Sequence, residues 1–120
     1  MKATLHSCSP LIPSGIGSFT ESLEFYTQQM GFVITWQDRT IAGIERDEIA
    51  FTVVENSTKE WVENSSFSIG VSNVDALHEE YQANCTSAHV GLLEIKVWGR
   101  REFHLIAPSG VCFQFYQQEV

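Results

Sequence analysis

Basic residues are scarce in this 120-residue chain: 7 Lys and Arg stand against 15 Asp and Glu, which leaves a net charge of −8. A phosphate backbone attracts the opposite sign, so nucleic acid is excluded as a partner. A negative field draws cations and cationic small molecules instead. Cysteines are few as well. Cys8, Cys85 and Cys112 are odd in number and show no CxxC spacing, which argues against a disulfide framework or a thiolate metal cluster and fits a reducing cytoplasm. No apolar run approaches the roughly 20 residues that span a bilayer. The opening "MKATLHSCSP" has no apolar h-region, so neither membrane insertion nor export is expected. P-loop, GxGxxG, GxSxG and HExxH spacings are all missing, and "GIG" at 15–17 lacks a third glycine. No hydroxyl or thiol has a neighbouring base to activate it, so no catalytic residue is assigned.

What is present reads as one globular domain over 1–120, because 43% of the residues are apolar and only 18% charged. Residues 3–12 lean toward a strand that Pro10 weakens. Ser18 and Glu21 have capping-box spacing, Phe19, Leu23, Tyr26 and Met30 share one helical face, and Gly31 stands where a left-handed cap belongs; together they predict a helix over about 18–30. Strands follow at 32–36, 41–45 and 48–54, the last two joined by Arg46-Asp47. The polar stretch 55–66 reads as a loop carrying Trp61. A strand at 67–71 precedes a second helix, for which Ser72 and Asp75 repeat the capping spacing and which ends near Asn84. Strands at 89–95, 101–107 and 111–117 complete the chain, with Pro108-Ser109-Gly110 as the final turn. The order is strand, helix, three strands, given twice. It predicts an α+β fold of two βαβββ repeats, about 3–54 and 67–117, each a curved mixed sheet with a helix on one face.

That order, with "SLEFYTQQMGF" (22–32), "TWQDRTIAGIERDEIAFTVV" (35–54) and "WGRREFHLIAPSGVCFQFY" (98–116), resembles the vicinal oxygen chelate superfamily of glyoxalases, extradiol dioxygenases and bleomycin-resistance proteins. The run "AGI.RD" is closest to the bleomycin-resistance branch. Enzymes of the superfamily hold a divalent ion with His, Glu or Gln. The corresponding positions here fall near Leu11, at Ser66 and at Gln114. A catalytic ion needs about three suitable donors, so the resemblance implies a binder with no cofactor and no metal. A metal-dependent glyoxalase- or dioxygenase-type enzyme is the alternative.

The resemblance also implies a guest: a small cationic or amphiphilic aromatic molecule, held in grooves of a homodimer whose chains exchange their first strands. Pro10 and Pro13 fit a stiff hinge for such an exchange. Flat rings call for aromatic walls and a cationic tail for carboxylates. Trp98 matches the branch's groove tryptophan, and Trp36 matches one of its phenylalanines. Ile41 replaces a second phenylalanine and Ser68 a tryptophan, with Trp61 as a substitute wall. Asp38, Glu94 and Glu102 offer negative charge. His104 lies on a strand that approaches the cleft, and Gln114 and Tyr116 alternate with Phe113 and Phe115.

Overall fold

The computed structural model describes residues 2–119. Nine strands and three helices follow one another as β1 (Leu11–Pro13), α1 (Phe19–Gln28), β2 (Val33–Gln37), β3 (Ile41–Arg46), β4 (Ile49–Val54), α2 (Lys59–Glu63), β5 (Ser66–Val71), α3 (Val74–Asn84), β6 (His89–Val90), β7 (Glu94–Ile95), β8 (Arg101–Ile106) and β9 (Cys112–Gln117). The strands form two mixed sheets. One runs β1-β4-β3-β2; the other runs β5-β9-β8-β6, with β7 also on β8. In each sheet the first strand of the module lies parallel to the last, β1 on β4 and β5 on β9. The two βαβββ modules are therefore built alike.

α1 begins as its sequence dictates. The Ser18 hydroxyl accepts from the Glu21 backbone N–H and the Glu21 carboxylate accepts from that of Ser18. Its face of Phe19, Leu23, Phe25 and Tyr26 is buried. Gly31 follows with φ +82°, a left-handed conformation that favours glycine.

Four local expectations change. Residues 55–66 contain the short helix α2 rather than loop alone. The cap of α3 is Asn73, whose side chain accepts from the Ala76 N–H, not Ser72; both residue types cap well and the geometry selects the later one. The stretch 89–95 is two short strands, because the chain leaves the ladder between Val90 and Glu94. Residues 2–10 extend without pairing as a strand, which begins only at Leu11.

The core is shared by both modules. Edge-to-face rings link Tyr26 of α1 to Phe113 of β9, and Phe51 of β4 to both Phe67 of β5 and Phe113. Strand alternation sends Phe103, Leu105, Phe113 and Phe115 inward. The same alternation sends Glu102, His104, Gln114 and Tyr116 to the opposite, outer face. Arg46 ties the modules together at one end. Its guanidinium donates to Glu80 at 2.8 and 3.0 Å, to the Met30 carbonyl at 2.9 Å and to the Tyr81 hydroxyl at 3.0 Å.

Candidate functional site

The outer face of the second sheet carries a connected polar cluster. Glu102 lies opposite Tyr116, and His104 opposite Gln114, in the β8–β9 ladder. On the far side of β9, Gln114 lies opposite Ser68. The Glu102 carboxylate accepts from the Trp98 indole N–H at 2.8 Å with one oxygen and meets His104 Nε2 at 2.7 Å with the other. Arg100 Nε stands 3.5 Å from the first oxygen, and the Arg100 guanidinium lies over the Tyr116 ring, 3.7 Å from its centre. Glu102 is only 1% exposed, although it sits on an open face; its neighbours' side chains close over it. Burial alone would push its carboxyl up. Hydrogen bonds from Trp98 and His104, with the charges of His104 and Arg100, outweigh that and hold it below the usual glutamate range.

Trp98 itself is 60% exposed. It occupies the turn between β7 and β8, closed by Lys96 N–H to the Arg100 carbonyl at 2.9 Å and Gly99 N–H to the Lys96 carbonyl at 2.8 Å. Gly99 takes φ +93° there. Glu94, opposite Glu102 in register, pairs with Lys96 at 2.8 Å. Both carboxylates named from the sequence on this sheet therefore already have partners.

The outer face of the first sheet carries Trp36, 49% exposed, which lies opposite Gly43. The indole nitrogen occupies the space a β-carbon on residue 43 would need. Ile41 shares that face by alternation along β3. Asp38 is exposed in the β2–β3 turn and accepts from the Arg39 N–H at 2.8 Å. Trp61 is carried by α2 rather than by either sheet. The structure thus gathers Ser68, Trp98, Glu102, His104, Gln114 and Tyr116 on one face, with Glu94 at its edge. It puts Trp36, Asp38 and Ile41 on the other sheet and leaves Trp61 apart.

Sequence reasoning assigned no role to Arg100. It neighbours Arg101, and strand alternation sends the two to opposite sides: Arg100 to Tyr116 and Glu102, Arg101 to Asp75 of α3 at 2.6 Å. Counting two residues back from Glu102 is the signal that would have found it.

The chelate positions do not fit a divalent ion. Leu11 has no donor. The Gln114 amide donates to the Ser66 hydroxyl at 2.9 Å and accepts from that of Ser68 at 3.0 Å. The donors are neutral hydroxyls and an amide already engaged with one another, and none of them brings the charge that compensates a cation's dehydration. Among the described residues no three His, Cys, Asp or Glu side chains converge.

A further hollow lies elsewhere. A crevice of about 670 Å³ opens between the β3–β4 turn, the end of β5 and α3. Its one cation, Arg46, already bonds Glu80, Tyr81 and Met30 through both terminal nitrogens. Chemistry therefore favours the sheet faces over the larger space. Among the described residues no helix is long and apolar enough to cross a membrane.

No protein-family model matches the sequence, and no curated protein matches it either. Solved structures do match in fold. The bleomycin-binding protein of bleomycin-producing Streptomyces verticillus, complexed with copper(II)-bleomycin, superposes with a TM-score of 0.84 at 23% identity, covering 98% of this chain and 100% of that one. A bleomycin resistance determinant encoded on the transposon Tn5 gives 0.79 at 18% identity over 97% and 100%. A glyoxalase/bleomycin resistance protein/dioxygenase from Nocardioides gives 0.72 at 12% identity over 97% and 85%.

Proposed function

We propose that this chain, which has the glyoxalase/bleomycin-resistance fold, is a non-enzymatic cytoplasmic protein that binds and sequesters a small cationic aromatic molecule, its two repeats working as one domain. The observation that carries this reading is the placement of Trp98 and Trp36. Trp36 stands exposed on the outer face of the first sheet and Trp98 on the turn that leads into β8 of the second, and the positions corresponding to the chelate hold Leu11, Ser66 and Gln114, none of them charged. Ring faces favour flat guests. The net charge of −8 and the exposed Asp38 favour a positive tail. The fold neighbour from Streptomyces verticillus is a bleomycin-binding protein, which supports a small-molecule guest.

A homodimer completes the site. Apolar side chains are exposed along the β2 edge, at Val33 and Ile34, and in the 92–98 segment, at Leu92, Ile95 and Val97. Leu5 projects from the unpaired residues 2–9. A two-fold partner covers both edges at once and faces the first sheet of one chain with the second sheet of the other.

The test is a thermal-shift titration with bleomycin, the cationic dye proflavine and the anionic dye anilinonaphthalene sulfonate. At 100 times its Kd a cationic guest raises stability by about 2.7 kcal/mol. Trp98→Ala removes that shift and lowers the ligand-free protein by about 2 kcal/mol, the lost indole bond to a carboxylate. A response to the anionic dye alone refutes the cationic assignment. A divalent metal bound at one per chain in protein purified without chelator turns the reading toward the metal-dependent enzyme.

A further inference from the structure

We propose that Glu102 is a positioning residue: its buried carboxylate, bridged between the Trp98 indole and His104, fixes the Trp98 ring in the orientation that forms the groove wall. The proposal rests on the groove reading above for its purpose but not for its geometry.

An exposed indole at the tip of a turn has little to hold it. Trp98 is flanked by Gly99, around which no other atom lies within 4 Å of where a side chain would begin. The backbone of the turn is closed by two hydrogen bonds. Left to these, the ring would sample several rotamers, and each would have to be given up when a guest stacks on it. The indole N–H, however, is a single donor on the ring edge. Bonding it at 2.8 Å to a buried carboxylate that is itself bonded to His104 leaves the ring face outward and its orientation set. Glu102 is held through both carboxylate oxygens. His104 holds its second oxygen, Arg100 lies behind the first, Tyr116 of β9 packs beneath Arg100, and the strand backbone fixes its root. A carboxylate meant to meet the guest would instead stand open. Glu102 thus acts through Trp98 rather than on the ligand.

The charged and titratable groups facing this carboxylate are Arg100 and His104 from β8 and its turn, Tyr116 from β9 and Glu94 from β7, the last paired with Lys96. Glu102 is the acidic group bonded to the indole. Its protonation reaches Trp98 directly.

The experiment uses full-length protein labelled with nitrogen-15 at the tryptophan indoles, with the Trp98 signal assigned by Trp98→Phe. In the wild type the Trp98 N–H exchanges with solvent at least tenfold more slowly than a free indole, despite the exposed ring, and its resonance shifts as acid protonates Glu102. Glu102→Gln keeps an acceptor, so it keeps the protection and loses the acid-dependent shift. Glu102→Ala loses both, and bleomycin affinity falls about tenfold, which is about 1.4 kcal/mol. Wild-type exchange at the free-indole rate overturns the proposal even if the alanine variant does not fold. So does full protection in Glu102→Ala. If the protection behaves as stated while bleomycin, proflavine and anilinonaphthalene sulfonate all fail to bind, the positioning role stands and the sequestration reading falls.

Discussion

Glu102 is the residue whose charge the fold must accommodate most fully. Its carboxyl is more acidic folded than unfolded, so below the ordinary glutamate value of 4.5 the unfolded chain takes up the proton first. Its contribution to stability is complete above that pH and is lost as the pH falls through the lower, folded value. Urea midpoints measured between pH 3 and 7 should therefore decline in acid less steeply for Glu102→Gln than for the wild type. At the same scale, Gly43 admits the Trp36 indole because it lacks a side chain. Gly43→Ala should shift the Trp36 emission and weaken binding of a flat guest, with the circular dichroism of the sheets unchanged. The outer-face placement of Gln114 and Tyr116 was legible from alternation against Phe113 and Phe115. The Trp36–Gly43 contact was not, because the register slips between Ile34 and Trp36, and a bulge has no signature in one strand read alone.

Elements that signal locally were the ones the sequence disclosed. The start of α1 needs only Ser18 and Glu21, three residues apart, and Ser18→Ala should cost about 1 kcal/mol in denaturant melts. α2 was hidden for the converse reason: five residues, with no side-chain bond from its cap Thr58. The split of 89–95 depends on how β8 approaches, where the Gly91 N–H donates to the His104 carbonyl at 2.8 Å, a contact beyond any local pattern. Between elements, Arg46 joins the β3–β4 hairpin to α3 and to the end of α1. The Glu80 carboxylate beside it holds the guanidinium firmly protonated. Removing it leaves the Glu80 carboxylate without its partner and the Tyr81 hydroxyl with only its own bond to the Met30 carbonyl at 2.8 Å, so Arg46→Ala should lose about 2 kcal/mol in the same melts, more than an isolated surface pair would.

For the molecule as a whole, the two-module order was legible because it repeats. The two faces proposed above for a guest were legible only in part, because they belong to different sheets. Val97 is fully exposed and Leu5 98% exposed, an arrangement that suits burial against a partner. Sedimentation should give twice the chain mass at micromolar concentration. Val97→Asp should yield monomers that also fail to retain bleomycin. A wild type that sediments as a monomer while still binding would dissociate the groove from the dimer.

The pairing of β5 with β9 has a consequence for synthesis. The first sheet has all its strands once Val54 has emerged from the ribosome, whereas β5 must wait, its edge unpaired, for the strand that carries Phe113 and Phe115. A nascent chain arrested after β8 would thus leave uncovered the rings of Tyr26, Phe51, Tyr81 and Phe103 that pack on Phe113 and Phe115, and a stop codon there should give a product that chaperones hold and proteases clear.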